Sequence, residues 1–248
     1  MNHLVVGYGQ VGKVLYKLME IKIGSEFLMR VDPAEGFDID PDPKTPVNVM
    51  HICFPYFDEF SKEVLAYLRK FKAQNVIIHS TVAPETTQGL RQYAERIYYS
   101  PVRGQHNNLL KDMMRYKKFI APLPSSELLN ELSELFRLVV KNNTTELEVA
   151  KLLDTTQYGI LIAWAQEAER IAERFKVSHE FVREFGKETN QFYGLRPDIR
   201  SDFCGGHCVR QNIALLRQFY RSPFFDMFIG SNQKKGQNLH IEDEVNYG

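Results

Sequence analysis

Leu4-Val5-Val6-Gly7-Tyr8-Gly9-Gln10-Val11-Gly12 decides the fold of this chain. A short apolar run enters glycines spaced G-x-G-x-x-G. Val11, Val14, Leu15, Leu18 and Met19 then recur at helical spacing, so the stretch reads strand, tight turn, helix. Gly7 suits the turn, Gly9 admits a pyrophosphate close to the backbone, and Gly12 lets the helix pack on the strand. Free N–H groups at the helix start then face an anion. Phe27 to Val31 reads as the next strand and ends at Asp32, where a carboxylate accepts from a ribose 2′-hydroxyl and repels a 2′-phosphate. The expectation is a dinucleotide site specific for NAD, with Tyr8, Gln10 and Val11 lining the turn.

Outward from this turn the pattern repeats. Residues 33–46 form a polar, Pro- and Asp-rich connection without a helical period. Val47 to Phe54 reads as a buried strand closed by Pro55, Phe57 to Phe71 as a helix, and Asn75 to His79 as a strand leading into Ser80-Thr81. Glu85 to Arg96 reads as a helix, Ile97 to Tyr99 as a strand, Lys118 to Ala121 as a late strand, and Ser125 to Val139 as a helix. Such alternation predicts an α/β fold: a Rossmann-type, doubly wound parallel sheet. Ligands bind at the carboxyl ends of the strands of such sheets, which gathers Gly9, Phe54-Pro55, Ser80-Thr81 and Pro101 to Arg103 around one crevice.

Thr145 opens a long helix with no proline, through Leu152, Leu153, Ile160, Leu161, Trp164 and Ile171 to Phe175. Thr145 and Glu148 fit a capping box. Shorter helices follow near Ser178 to Glu188 and Cys208 to Phe219. The expected organisation is a dinucleotide-binding domain over residues 1–144, a helical substrate and dimerisation domain over 145–229 built on the long central helix, and a polar, mobile tail over 230–248.

Composition narrows the classes. Of 248 residues, 44% are hydrophobic and 25% charged, ordinary values for a globular chain. Zero net charge argues against a nucleic-acid or anionic-membrane partner, and no apolar run is long enough to span a bilayer. The first strand starts too early to leave room for a signal peptide. Three cysteines do not make a disulfide framework, so a reducing, cytoplasmic location is expected.

Two further places carry chemistry. In Phe203-Cys204-Gly205-Gly206-His207-Cys208, a helix starting near Cys208 puts a thiol at a positive helix end, which favours the thiolate; a buried structural cysteine remains the alternative. Cys204, His207 and Cys208 lack a fourth ligand and a zinc spacing, so no metal is expected. Lys151 lies in the first turns of the long helix with Thr155 one turn on; a solvated lysine is the plain reading.

Together these motifs resemble the UDP-glucose/GDP-mannose dehydrogenase family. Gly7 to Gly12 resembles its nucleotide loop, His79 to Thr87 its S-T-V-x-P-G-T-T segment with Glu85 in place of glycine, and Ser100 to Arg103 its S-P-E-R. Lys151-Leu152 resembles the lysine of its central helix, and Gly205 to Val209 its G-G-H-C-[IV] cysteine motif. The resemblance implies an NAD-dependent oxidation of a small-molecule alcohol or sugar-derived substrate by a homodimer. Cys208 would be the nucleophile, Lys151 the oxyanion stabiliser, Ser80-Thr81 neighbours of the nicotinamide, and Arg103, Gly104 and His207 substrate contacts. Departures accompany it. The family's glutamate is Val102, the asparagine after the lysine is Thr155, and the acid after the cysteine is Asn212, so Thr155 and Asn212 hydrogen-bond but do not act as bases. A chain without the family's third, sugar-nucleotide domain is expected. Related 3-hydroxy-acid dehydrogenases offer a one-step alternative with Lys151 as general acid/base, and an NAD-binding protein without catalysis is a third reading.

Overall fold

The computed structural model describes residues 1–32, 45–194, 197, 199–205, 207–239 and 241. The chain divides into two compact units, Met1–Lys151 and Leu152–Gly248. The division falls inside the long helix, seven residues beyond the expected boundary at 144.

In the first unit β1 (His3–Val6), β2 (Leu28–Val31), β3 (Val49–Ile52), β4 (Asn75–Ile78) and β5 (Ile97–Tyr99) pair in the order β2-β1-β3-β4-β5, all parallel. Four of these strands are buried along their whole length, as strands covered on both faces must be. The crossover helices include α1 (Gln10–Ile23), α2 (Phe60–Phe71) and α3 (Thr86–Arg91). One core lies around Leu4, Met50, Ile52, Phe60, Ile78 and Tyr99; the other lies around Val5, Leu15, Leu18, Ile77 and Leu128. The strand order places its switch point between β1 and β3, where a doubly wound sheet opens a crevice at its carboxyl edge.

After α4 (Leu109–Arg115) comes β6 (Lys118–Ile120), then α5 (Ser126–Leu135) and β7 (Leu138–Val140). β6 and β7 pair in parallel as a second, two-stranded sheet. The expected helix through Val139 therefore stops at Leu135. Leu138-Val139-Val140 is a short apolar run, too short for its period to separate strand from helix, and pairing with β6 decides it. Residues 33–44 of the polar connection lie outside the described residues.

α6 (Thr144–Phe175) begins one residue before the expected start. The capping box does not form as read: Asn143 Oδ1 accepts the Glu146 N–H at 3.2 Å. Glu148 is fully buried and caps a different helix, accepting from the N–H groups of Glu85 (2.8 Å) and Thr87 (2.9 Å) at the start of α3. Glu85 itself has φ 70°, the left-handed region that favours the glycine of the resembled motif.

The second unit contains the rest of α6, α7 (His179–Tyr193), α8 (His207–Phe219) and α9 (Pro223–Asn238). α6 and α8 approach closely at Gly159, where a methyl group would meet Val209 Cγ1 at 2.7 Å and Ile213 Cδ1 at 2.8 Å. The expected tail at 230 is corrected: α9 continues to Asn238, and Ser231 and Asn232 are buried. Their polarity serves an internal network. Gln166 Nε2 donates to Asn232 Oδ1 (3.2 Å), Ser231 Oγ to Gln166 Oε1 (2.9 Å), and Asn232 Oδ1 also accepts from the Cys204 N–H (2.8 Å). Among the described residues, no helix is long and apolar enough to cross a membrane.

Candidate active site

The opening turn has the geometry its glycines predict. Gly7 has φ 90°, and a side chain there would meet the Phe54 backbone nitrogen at 2.6 Å. A methyl at Gly12 would overlap the Gly7 carbonyl oxygen, so the helix lies on the turn only because that position is bare. Gly9 differs: among the described residues, nothing lies within 4 Å of where its Cβ would be. Gly9 is also the N-cap of α1 and lends no side-chain acceptor, and the first turn has no acidic residue. The N–H groups of Gln10, Val11 and Gly12 begin the helix without an acceptor inside it. An open space above uncapped donors at a positive helix end is where a diphosphate fits.

Asp32 follows β2, and its carboxylate accepts the Tyr8 N–H at 2.5 Å. This ties the turn to the end of β2. Arg30, which no motif marks, donates to the Tyr8 hydroxyl at 2.9 Å and lies 4.7 Å over the Tyr8 ring and 5.4 Å over the Tyr16 ring. The turn and strand residues present therefore fit a dinucleotide: donors for phosphate, a carboxylate for ribose, and an unfilled approach between them.

The other expected residues of this unit follow the carboxyl ends of their strands. Ser80 Oγ donates to the Phe54 carbonyl at 2.5 Å, which links the ends of β4 and β3. Pro55 and Thr81 adjoin these two ends. Arg103 donates to the Lys117 carbonyl at 3.0 Å, with its guanidinium 4.9 Å from the Phe119 ring. Gly104 has φ 138°, and a side chain there would meet Asp112 Cβ at 2.6 Å, so that glycine also serves packing against α4. Val102 is buried in the second core. Burial pushes the Cys53 thiol up to about 12, which keeps it protonated. Lys151 ends this unit, half-buried in α6.

A residue the sequence did not single out stands here. Lys118 is buried, and its Nζ donates to the carbonyls of Ser100 (2.6 Å) and Pro101 (2.9 Å), in the loop at the carboxyl end of β5. Burial brings its ammonium down to about 7; Cys53 opposes this, and the charges of Lys151 and Arg103 add to it. Lys118 opens a short strand beside Lys117, and nothing local marks it as buried.

In the second unit, Cys208 is the second residue of α8, the helix start expected there, and its side chain is exposed. Gly205 is held by Arg210, whose Nη2 donates to the Gly205 carbonyl at 2.9 Å. Asn212 Nδ2 donates to Thr155 Oγ1 at 2.8 Å, and Thr155 Oγ1 donates to the Leu152 carbonyl at 3.1 Å. The two neutral replacements thus satisfy each other. Gly206 lies outside the described residues, as does the side chain of His207.

No protein-family profile and no curated protein matches the sequence. Solved structures do match in fold. A UDP-D-ManNAc dehydrogenase from Pyrococcus horikoshii aligns with TM-score 0.75 and 17% identity over 97% of this chain and 70% of its own. A UDP-glucose dehydrogenase from Pyrobaculum islandicum gives TM-score 0.66 and 18% identity over 97% and 72%. A 3-hydroxyisobutyrate dehydrogenase from Mycobacterium tuberculosis gives TM-score 0.68 and 12% identity over 99% and 96%. What this chain shares with them is the fold: a Rossmann-type parallel sheet followed by a helical region.

Proposed function

We propose that this chain is an NAD-dependent oxidoreductase acting on an alcohol group. What supports the reading is the space at Gly9, left open by the described residues above the uncapped start of α1, with the Asp32 carboxylate after β2 as the group that would meet a ribose. Dehydrogenases of sugar nucleotides and of a hydroxy acid share its fold. NAD⁺, when bound, supplies a hydride acceptor. The chain's own part would then be division of labour. Gln10, Val11 and Gly12 hold the phosphates, and Asp32 selects the 2′-hydroxyl. Lys151 presents a cation to the oxygen on which charge develops. Cys208, exposed at the start of α8, would add its sulfur to the aldehyde carbon left by a first hydride loss to NAD⁺. The thiohemiacetal, after losing a second hydride to another NAD⁺, would hold the acyl group as a thioester until water releases the acid and the thiol.

One-step oxidation is the second reading, with Lys151 as general acid/base and Cys208 a bystander. Buried Val102 and the mutually bonded Thr155–Asn212 pair favour it, since neither offers a base to activate water. Cys208→Ser separates the two. In the thioester route wild type yields two NADH per substrate and the variant none beyond background; in the one-step route wild type yields one and the variant matches it. Tight NAD⁺ binding with no turnover across a broad alcohol panel would leave the non-catalytic reading. Exposed Trp164, Phe181, Phe185 and Phe192 on α6 and α7 support a homodimer, which light scattering at micromolar concentration checks. A cytoplasmic setting suits three free thiols.

A further inference from the structure

Three buried histidines cross the parallel sheet as one hydrogen-bonded column. His3 is on β1, His51 on β3, and His79 directly follows β4. His3 pairs with Val49, two residues before His51, and His51 pairs with Ile77, two before His79. Each imidazole is therefore one step further toward the carboxyl edge than its neighbour, on the same face. The rings stack with centroids 5.2 Å apart at both steps. His3 Nδ1 lies 2.9 Å from His51 Nε2, and His51 Nδ1 lies 2.9 Å from His79 Nε2.

Both ends are polar. At the amino edge His3 Nε2 lies 2.9 Å from Glu131 Oε1, on partly exposed α5, and the Met1 ammonium is 3.4 Å from the same oxygen. At the carboxyl edge His79 Nδ1 lies 2.9 Å from the Ser100 carbonyl and 3.1 Å from Lys118 Nζ. Aliphatic side chains fill such central positions in most parallel sheets. Burial without partners would be costly for three imidazoles and an amine, and here every ring nitrogen has one.

We propose that Lys118, His79, His51, His3 and Glu131 form a proton relay linking the crevice loop after β5 to solvent at the opposite edge of the sheet. Proton counting supports this. In one arrangement the Lys118 ammonium donates to His79 Nδ1, each ring donates from Nε2 to the next ring's Nδ1, and His3 Nε2–H donates to the Glu131 carboxylate. One proton passing along the column leaves Lys118 neutral and Glu131 protonated, with each ring still holding one proton, now on Nδ1. His79 Nδ1–H then donates to the Ser100 carbonyl and the Glu131 hydroxyl to His3 Nε2. Both arrangements leave the rings fully bonded, and neither contains a stranded charge on a ring. The reverse passage restores the first. The column thus moves one proton out and one back, as suits a crevice group deprotonated in one step and reprotonated in another.

Electrostatics are consistent with this use. Burial keeps His51 and His79 neutral well below the usual range, helped by Lys118. Burial also lowers His3, against the pull of Glu131. Burial raises the Glu131 carboxyl, but His3 and the Met1 ammonium outweigh it and hold it low. The groups facing Lys118 are Cys53, Lys151, Arg103 and His79, so its proton responds to the crevice through the same Lys151 that the oxidoreductase reading uses.

The use in turnover rests on that reading, but the relay is testable without it. In the ¹⁵N-labelled full chain, imidazole nitrogen shifts report the tautomer of each ring. Wild type is expected to show His3, His51 and His79 neutral and protonated on Nε2 at about neutral pH. Glu131→Leu removes the outer acceptor; with one proton lost from the column to solvent, Lys118 is left neutral and all three rings should move to Nδ1–H together, His79 included, although only His3 of the three touches Glu131. Glu131→Met gives the same reading should the leucine variant fold poorly. A change confined to His3, or rings of mixed tautomer in wild type, would overturn the relay. If turnover is found, His51→Phe should lower kcat at least about tenfold with KM held and the solvent deuterium effect on kcat enlarged; unchanged kcat would exclude a role in catalysis. Absence of any dehydrogenase activity would remove the oxidoreductase reading and leave the tautomer result standing.

Discussion

Gly9→Ala separates binding from folding at the opening turn. The added methyl meets no atom of the described residues within 4 Å, and the Gly9 dihedrals, φ −73° and ψ −155°, are open to alanine. Two small terms act on stability. Alanine is a poorer N-cap than glycine by roughly half a kcal/mol, and loss of glycine freedom in the unfolded chain returns about 0.4–1 kcal/mol. They offset, so the melting temperature should stay within about 3 °C for a chain of this size. Binding should respond differently. The methyl projects into the space through which phosphate reaches the α1 N–H groups. Loss of one charge-assisted hydrogen bond is worth about 1.5–3 kcal/mol, which weakens NADH binding about ten- to hundredfold. Thermal melts paired with fluorescence titration of NADH measure both. Gly12→Ala is the contrast: its methyl overlaps the Gly7 carbonyl, and overpacking of this kind costs about 1–3 kcal/mol. A Gly9→Ala protein that binds NADH like wild type would refute the reading of this space as a phosphate site.

Glu85→Gly should stabilise the protein by up to about 1 kcal/mol in urea denaturation, because it removes a left-handed non-glycine residue at φ 70° whose side chain is exposed; a destabilised variant would contradict the strain. Stability should rise with pH in two windows. His51 and His79 have lowered pKa values in the fold, so their contribution is complete above about 6.5 and lost as pH falls below it, by up to about 1.4 kcal/mol per unit for each. Lys118, lowered from 10.5 to about 7, adds stability as pH climbs from about 7, a gain that Cys53, raised from 9.0 to about 12, offsets above about 9. Chemical denaturation as a function of pH measures both slopes; Lys118→Met should flatten the alkaline one and, by removing a cation that lowers His51 and His79, also shrink the acid one. Asp32→Ser should narrow the preference for NAD⁺ over NADP⁺ by removing the carboxylate that repels a 2′-phosphate, read as the ratio of two dissociation constants.

Local patterns carried much of this structure. The opening turn was legible because its chemistry is contained in nine consecutive residues, and the first-unit strands because a buried parallel strand is a continuous apolar run. Cys208 at the head of α8 was legible for the same reason. What escaped depends on partners distant in the chain. His3, His51 and His79 look like isolated polar interruptions until register places them side by side. Lys118 and Glu148 have charged, ordinary surroundings in sequence and become buried only when the loops after β4 and β5 close over them. The polar residues of α9 suggested a solvated tail, yet Ser231 and Asn232 bond Gln166 and the Cys204 backbone. Polar composition separates exposed from buried segments poorly wherever a hydrogen-bond network replaces apolar packing.

A crystal structure of the chain soaked with NAD⁺ bears most directly on the central claim. The diphosphate should lie over the N–H groups that open α1, in the space beside Gly9, with the adenosine ribose hydroxyls on the Asp32 carboxylate. A dinucleotide bound elsewhere, or none at millimolar cofactor, would contradict it.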